Sequence, residues 1–375
     1  MKRIRIKVFI KTSVTLTDKN AMRVTTGIRV RRQFGEDVLR ILRARGLVDN
    51  SLLIKRREDF LIIPLAQEVA REELRELGVE ADLVAEDFEE ASRRPNFFEN
   101  LRSILSAEDL KIIPRSYDIV GDICILQLPK ELYDRRRVIG EAFLKSMKNI
   151  RIVLNKTEPL SGEYRVGGYE VLAGEGGTET FYREHGCIFK LDISKVFFTP
   201  RLSAERIRVA SLVKPGEVVC DLFAGIGPFS IIIAKKNPSV RVYACDINPY
   251  AYQYLIENIR LNKVEERVKA YLGDAKELSG RDLKDVGDRI IMNLPMSSEI
   301  YLDAARNALK RNGGLVHLHV FLEKDVDSNE KYMNIEESFR RLGCETKLLS
   351  SRRIREVAPF KYHWGFDIEV KPRKY

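Results

Sequence analysis

The chain has 375 residues, of which 65 Lys and Arg oppose 55 Asp and Glu for a net charge of +10. That length predicts two or three domains, and the basic excess suits a polyanionic partner while saying nothing about fold. No apolar run reaches the about 18 residues of a membrane span, and the start Met1-Lys2-Arg3-Ile4-Arg5 lacks a leader's apolar stretch, so a cytoplasmic protein with no membrane association is expected.

Residues 1–66 alternate β-type runs (4–10, 52–54, 60–64) with an amphipathic helix over 35–45 that stops near Gly46, which predicts a small α/β module. Residues 67–107 are charged and helix-prone, with a break at Arg93-Arg94-Pro95, and read as a connector. Strands at 117–120, 123–128 and 152–154 around a helix at 134–147 predict a second α/β module, closing a segment 67–169. From 170 to 375 strands and helices alternate. Strands end at Asp221 and near Cys245, helices cover 248–261 and 300–311, and Gly313-Gly314 breaks before a strand at 315–321. A helix at 335–342 and strands at 346–353 and 364–370 follow. The pattern predicts a doubly wound, mostly parallel sheet whose final strands are antiparallel, preceded by two smaller α/β modules.

The most informative stretch is Val219-Cys-Asp-Leu-Phe-Ala-Gly-Ile-Gly-Pro-Phe229. An apolar strand stops at Asp221, turns through Gly225 and Gly227, and opens a helix, so small residues leave backbone bare at a helix N-terminus. Asp246 closes the second strand and Asp274 follows another apolar run. In a parallel sheet these acids meet at the carboxyl ends of the strands, where such folds bind ligands. A dinucleotide site predicts a similar turn, but the third glycine of Gly-x-Gly-x-x-Gly is missing, since Phe229 and Ser230 follow Pro228. A further strand, 289–292, runs into Asn293-Leu294-Pro295, an amide beside a rigid turn that can bond a base edge. Cys124, Cys187, Cys220, Cys245 and Cys344 show no paired spacing and read as buried free thiols. His317 and His319 alternate on a strand without a third ligand, so no metal is assigned.

The Asp221–Gly227 turn resembles the S-adenosylmethionine pocket of Rossmann-like methyltransferases. The resemblance implies that Asp221, Phe223, Gly225 and Gly227 face the methionine end and that Asp246 and Ile247 meet the ribose. It places Asp274 and Ala275 at the adenine, with Asn293 closing the pocket. Two upstream segments, Gly162-Glu-Tyr-Arg-Val-Gly-Gly-Tyr-Glu and Phe189-Lys-Leu-Asp through Arg206, resemble the archaeal and eukaryotic-type tRNA (guanine-37 N1) methyltransferases. That resemblance implies Glu205 as general base, Arg165 at the developing O6 charge, and Asn293 orienting the base. Phe197 or Phe198 would stack on the base, and Pro295 would stand beside it. The chemistry asks for such groups, because guanine N1 must lose a proton as it attacks the methyl. Both smaller modules would bind RNA, the first 66 residues recognising the tRNA body, and the protein would act as a monomer with no obligatory protein partner. Bland alternatives stay open: Glu205-Arg206 as a solvated pair, Arg165 as a phosphate contact, and the phenylalanines as core. Asn293-Leu294-Pro295-Met296 departs from the Asn-Pro-Pro pattern that the resemblance leads one to expect. The departure leaves open C7 methylation of the wyosine precursor, aminocarboxypropyl transfer to that precursor, or a non-catalytic RNA-binding role.

Overall fold

The computed structural model describes residues 22–76, 78, 81–90, 101–102, 105–114, 116–157 and 167–373. The chain divides into two compact units, residues 1–98 and 99–375. The strand expected at 4–10 lies outside the described residues.

The first unit runs β1 (Met22–Arg31), α1 (Gly35–Ala44), β2 (Lys55–Arg56), β3 (Phe60–Pro64), α2 (Arg71–Glu76) and β4 (Asp82–Glu89). Its four-stranded sheet has the order β2-β3-β1-β4 and is antiparallel throughout. Helix α1 lays Val38 and Leu42 against Ile28, Val30 and Ile63. Residues 82–89 depart from the expected helix-prone connector and carry the sheet past residue 66. Their charges pair across strands rather than along a helix: Arg29 bonds Asp82 at 2.9 Å and Lys55 bonds Glu86 at 2.8 Å. Phe88 is fully buried beside Leu52 and Ile62.

In the second unit a short helix α3 (Asp109–Ile112) precedes β5 (Asp118–Val120), β6 (Ile123–Leu126), α4 (Arg136–Ser146), β7 (Ile152–Lys156) and β8 (Tyr169–Gly174). These strands form a sheet in chain order, and the β6–β7 pair is parallel because α4 crosses between them. Strand β8 pairs with β7, so this module's sheet extends beyond residue 169. A hairpin, β9 (Glu179–Glu184) and β10 (Cys187–Asp192), leads into α5 (Ser203–Leu212).

The large sheet then follows, built from β11 (Val218–Asp221), α6 (Pro228–Lys236), β12 (Arg241–Asp246), α7 (Pro249–Leu261), β13 (Val268–Leu272), α8 (Ala275–Gly280), β14 (Arg289–Met292), α9 (Leu302–Ala308), β15 (Gly314–Glu323), α10 (Ser328–Arg341), β16 (Cys344–Ala358) and β17 (Lys361–Pro372). Its seven strands run β13-β12-β11-β14-β15-β17-β16, parallel as far as β15, with β17 antiparallel to both neighbours. Alternate residues of β11 feed separate cores: Val219 packs with Phe229, Ile231 and Leu255, and Cys220 with Leu278, Ile290 and Phe366. Helix α10 starts earlier than the expected 335 because the Asp327 side chain caps it, accepting from Asn329 N at 2.9 Å. All five cysteines are buried and free. Among the described residues no helix is long and apolar enough to cross a membrane. The strand order reverses between β11 and β14, so a crevice opens at their carboxyl ends.

Candidate functional site

Strand β11 delivers Asp221 into that crevice fully buried. Ser230, on the first turn of α6, donates its hydroxyl to Asp221 Oδ2 at 2.7 Å, while Oδ1 has no hydrogen-bond partner among the described residues. Burial, opposed by Ser230 and reinforced by Asp246, lifts this carboxyl to about 7. A buried oxygen left open costs about 1–3 kcal/mol, which points to a donor from outside the fold.

Gly225 and Gly227 both have positive φ, +56° and +90°. At Gly227 a Cβ would stand 2.4 Å from Leu255 Cδ1, so that glycine serves the packing of α6 on α7. At Gly225 a Cβ would meet open space, its nearest neighbour being the Phe197 carbonyl oxygen at 3.9 Å. Gly225 therefore bares backbone to the crevice. Its N–H donates to Asp246 Oδ2 at 2.7 Å, and Asn248 N–H donates to Oδ1 at 2.9 Å. Both oxygens of Asp246 are thereby aimed, each with a further lone pair to offer. Enclosure raises this carboxyl above its ordinary value despite those N–H groups.

Asn248, which sequence reading missed, ties the site together. Its side chain caps α7 by accepting from Tyr250 N at 3.0 Å and holds the Lys195 carbonyl at 2.9 Å, fixing the loop before Phe197. An Asn directly before a helix-opening proline was the available signal. Ile247 is half-buried beside it. Asp274 caps α8, accepting from Lys276 N at 2.8 Å, and Tyr301 OH stands 3.4 Å from its other oxygen. Ala275 is buried, and Phe223 meets the Tyr301 ring edge-on at 5.1 Å. The Asn293 side chain is half-buried and makes no hydrogen bond among the described residues. The loop beyond it is pinned: Leu294 O accepts from Ser297 N and Ser298 N, and Pro295 O accepts from Phe321 N at 3.1 Å.

The two phenylalanines separate. Phe197 is 39% exposed beside the Gly225 turn. Phe198 packs between Tyr182, at 5.0 Å, and the Arg206 guanidinium, at 4.8 Å, and is occupied structurally.

Neither member of the Glu205-Arg206 pair is solvated. Arg206 is buried on both oxygens of Glu184, at 2.8 and 2.9 Å, and on the Thr199 carbonyl at 2.7 Å. Glu205, 4% exposed, is gripped from two sides. Arg208 donates Nε to Oε2 and Nη2 to Oε1, each at 2.8 Å. Arg352 donates Nη2 to Oε1 and Nε to Oε2 at 3.1 Å. The same two guanidiniums each reach Asp367 Oδ2 at 2.9 Å. Two carboxylates and two guanidiniums thus close an electroneutral quartet. Asp367 also accepts from His317 Nδ1 at 2.5 Å, and Arg289 stands at 2.7 Å from His317 Nε2, so this histidine is neutral with its proton on Nδ1. Burial pushes Glu205 up, against the pull of Arg208. In this arrangement all of its roughly four lone-pair directions are used, so proton uptake requires one guanidinium to turn aside. Arg208 and Arg352 keep 28% and 22% of their side-chain surface in solvent, and Asp367 gives them an alternative anchor.

Arg165 lies outside the described residues. The structure therefore brings Asp221, Gly225, Asp246 and Phe197 together around one crevice, with Asn293 on the adjoining strand end. Among the described residues no group of three or more metal-binding side chains occurs.

Profiles of three families match the chain: the TRM5/TYW2 methyltransferase domain over residues 180–347, the TYW2 N-terminal domain over 97–178, and the tRNA methyltransferase 5 N-terminal domain over 27–73. The tRNA (guanine(37)-N(1))-methyltransferase Trm5b of Pyrococcus abyssi is 40% identical, covering 92% of this chain and 99% of its own. A Pyrococcus horikoshii tRNA(Phe) (4-demethylwyosine(37)-C(7)) aminocarboxypropyltransferase is 32% identical over 74% of this chain and 97% of its own. Among solved structures, a complex of aTrm5 and tRNALeu superposes with a TM-score of 0.65 at 33% identity, covering 92% of this chain and 99% of that one. With its crevice of Asp221, the Gly225 turn and Asp246 set on a methyltransferase-type strand order, this chain belongs to the TRM5/TYW2 family of tRNA-modifying transferases.

Proposed function

We propose that this protein transfers a methyl group from S-adenosylmethionine to N1 of guanine 37 in tRNA, acting as a cytoplasmic monomer. The observation that carries the reading is the crevice over Gly225, with the Asp246 carboxylate aimed into it and the buried Asp221 Oδ1 lacking a donor. These groups fit the cofactor. Asp221 Oδ1 suits its ammonium, the bare Gly225 backbone its methionine chain with Gly227 setting the turn beside it, and Asp246 with Ile247 its ribose hydroxyls. Asp274 and Ala275 suit the adenine, and Phe223, in the turn, stands toward the methionine end. When bound, the cofactor supplies a methyl on a positive sulfur, which only a base-assisted N1 nucleophile needs to approach.

The chain's own residues then do the rest. Asn293, with its amide unspent, orients the guanine edge beside Pro295; Phe197, exposed at the rim, stacks on the ring. Glu205 removes the N1 proton once a guanidinium of the quartet swings to Asp367 alone, and Arg165 holds the O6 charge. The first unit, residues 1–98, extends the expected 1–66 module and is the part we assign to tRNA-body recognition.

Aminocarboxypropyl transfer to a wyosine precursor is the second reading, favoured by the P. horikoshii relative. Cofactor labelled separately in the methyl and in the aminocarboxypropyl arm separates them: the methyl label alone is expected in RNA, and arm label in RNA would reverse the assignment.

Asp221 gives a pH prediction. Its folded pKa of about 7 lies above the ordinary 3.8, so the free protein holds a proton there below neutrality. Folding stability from this group accordingly falls as pH rises from about 4 to 7. Binding an ammonium favours the ionised form, so cofactor affinity should strengthen as pH rises through 7, with proton release. Calorimetry in buffers of different ionisation enthalpy measures both, and affinity independent of pH would make Asp221 purely structural.

A further inference from the structure

Strands β16 and β17 are joined by two residues, Pro359 and Phe360, and Phe360 holds its φ at +62°. A proline followed by a positive φ is the arrangement of a type II turn, whose second central position ordinarily falls to Gly or Asn. A bulky side chain there strains the backbone. Burial does not repay the strain, because Phe360 is 63% exposed. The place of the turn supplies a use for it. Lys324 N–H donates to Phe360 O at 2.7 Å, and Phe321 N–H donates to Pro295 O at 3.1 Å. The tip is thereby pinned to the carboxyl end of β15, the same strand end that holds the loop beyond Asn293. Aromatic side chains run outward from the core to this tip. Tyr362, Trp364 and Phe366 share one face of β17. Phe366 is buried and stacks on Trp364 at 6.4 Å, Tyr362 carries the Arg353 guanidinium 3.5 Å over its ring, and Phe360 carries the Lys324 ammonium at 5.4 Å. Arg353 keeps half of its side-chain surface in solvent. Exposed rings with cations set over them match unpaired nucleic-acid bases, which stack on aromatic and guanidinium planes while their phosphates meet the positive charge.

We propose that Phe360 stacks on an unpaired anticodon-loop base beside guanine 37 and holds it while guanine 37 leaves the stack; this rests on the reading of the crevice as the site of guanine 37 methylation. Extruding a base forfeits its stacking on both neighbours. A ring fixed at the rim replaces part of that loss, and a two-residue turn presents the ring already ordered, so little freedom is lost when RNA arrives. Lys324 sits over the ring on one side and brings a positive charge toward the adjoining phosphate. Arg353, layered on Tyr362, keeps the approach positive. Phe360 touches RNA but no reacting atom, so it is a positioning residue.

The test uses the full-length protein, S-adenosylmethionine and tRNA transcripts that are intact or carry a single abasic residue at each anticodon-loop position flanking guanine 37. Phe360→Gly and Phe360→Asn remove the ring and accept the backbone of the turn, whereas Phe360→Tyr keeps the ring. The Gly and Asn variants should bind intact tRNA about 5- to 150-fold more weakly than wild type, with unchanged cofactor affinity and an unfolding midpoint at or above that of wild type. Phe360→Tyr should bind as wild type does. One abasic substitution should weaken wild-type binding by a similar factor yet leave Phe360→Gly unaffected, a non-additivity that locates the contact. Wild-type affinity in Phe360→Gly would overturn the proposal, as would losses that add with every abasic substitution. Failure of both the Gly and Asn variants to fold would make Phe360 a structural turn residue and overturn it as well. Nucleoside analysis of the same reactions separates the layers: 1-methylguanine from wild type beside an unaffected Phe360→Gly removes only the stacking contact, while no 1-methylguanine from wild type removes the reading on which it rests.

Discussion

Replacing Glu205 by Gln is expected to slow single-turnover methyl transfer by about 10²–10⁴-fold, the range for loss of a general base, with cofactor affinity close to wild type. The amide keeps the shape of the carboxylate but cannot accept the N1 proton, and the other carboxylate of the quartet, Asp367, lies across the two guanidiniums. Glu205 is also a structural member of the quartet, so the loss of rate has to be separated from loss of fold. Calorimetric cofactor binding and the unfolding midpoint do this directly. A variant that stays folded, binds cofactor and turns over at the wild-type rate would leave Glu205 as a buried ion-pair residue and nothing more.

The second large effect belongs to Asp367→Asn. This change removes the same unit of charge from the same quartet without removing the proposed base. Truncating one partner of a buried ion pair costs about 3–5 kcal/mol, and a value near the low end is expected because Arg208 and Arg352 keep a solvated edge. Denaturant unfolding of the variant against wild type measures it. Burial alone would raise the Asp367 carboxyl, but His317 and Arg208 outweigh it and hold it below its ordinary 3.8. Its contribution is therefore full above that value and fades as pH falls through the depressed pKa, so the gap between wild type and variant should close in acid. In the folded variant the chemical step should drop far less than in Glu205→Gln. Equal losses in both would mean that quartet integrity, rather than proton removal, sets the rate.

Much of the large sheet was legible because its strands end where chemistry-bearing residues begin: Asp221, Asp246 and Asn293 each close an apolar run, and His317 and His319 alternate along β15. The antiparallel last pair was legible as two β-rich runs, 346–353 and 364–370, although both strands run longer, Cys344–Ala358 and Lys361–Pro372, and meet at a short turn. Strand β4 was missed because Asp82, Glu86, Asp87 and Glu89 weigh toward a solvated helix, and only their partners on β1 and β2 reveal a sheet. The quartet was half visible. Arg208 stands one helical turn from Glu205, a spacing that brings side chains together, whereas Arg352 and Asp367 join it only through the β16–β17 pairing. Likewise His317 and His319 read as a structural pair, but His363, their neighbour across β17, carries no local signal.

The most direct measurement incubates the protein with S-adenosylmethionine and two unmodified tRNA transcripts that differ only in guanine or adenine at position 37, followed by nucleoside mass spectrometry. The expected result is 1-methylguanine from the guanine transcript and no methylated product at that position from the other. A nucleoside carrying the larger aminocarboxypropyl mass, or no product from the guanine transcript, would contradict it.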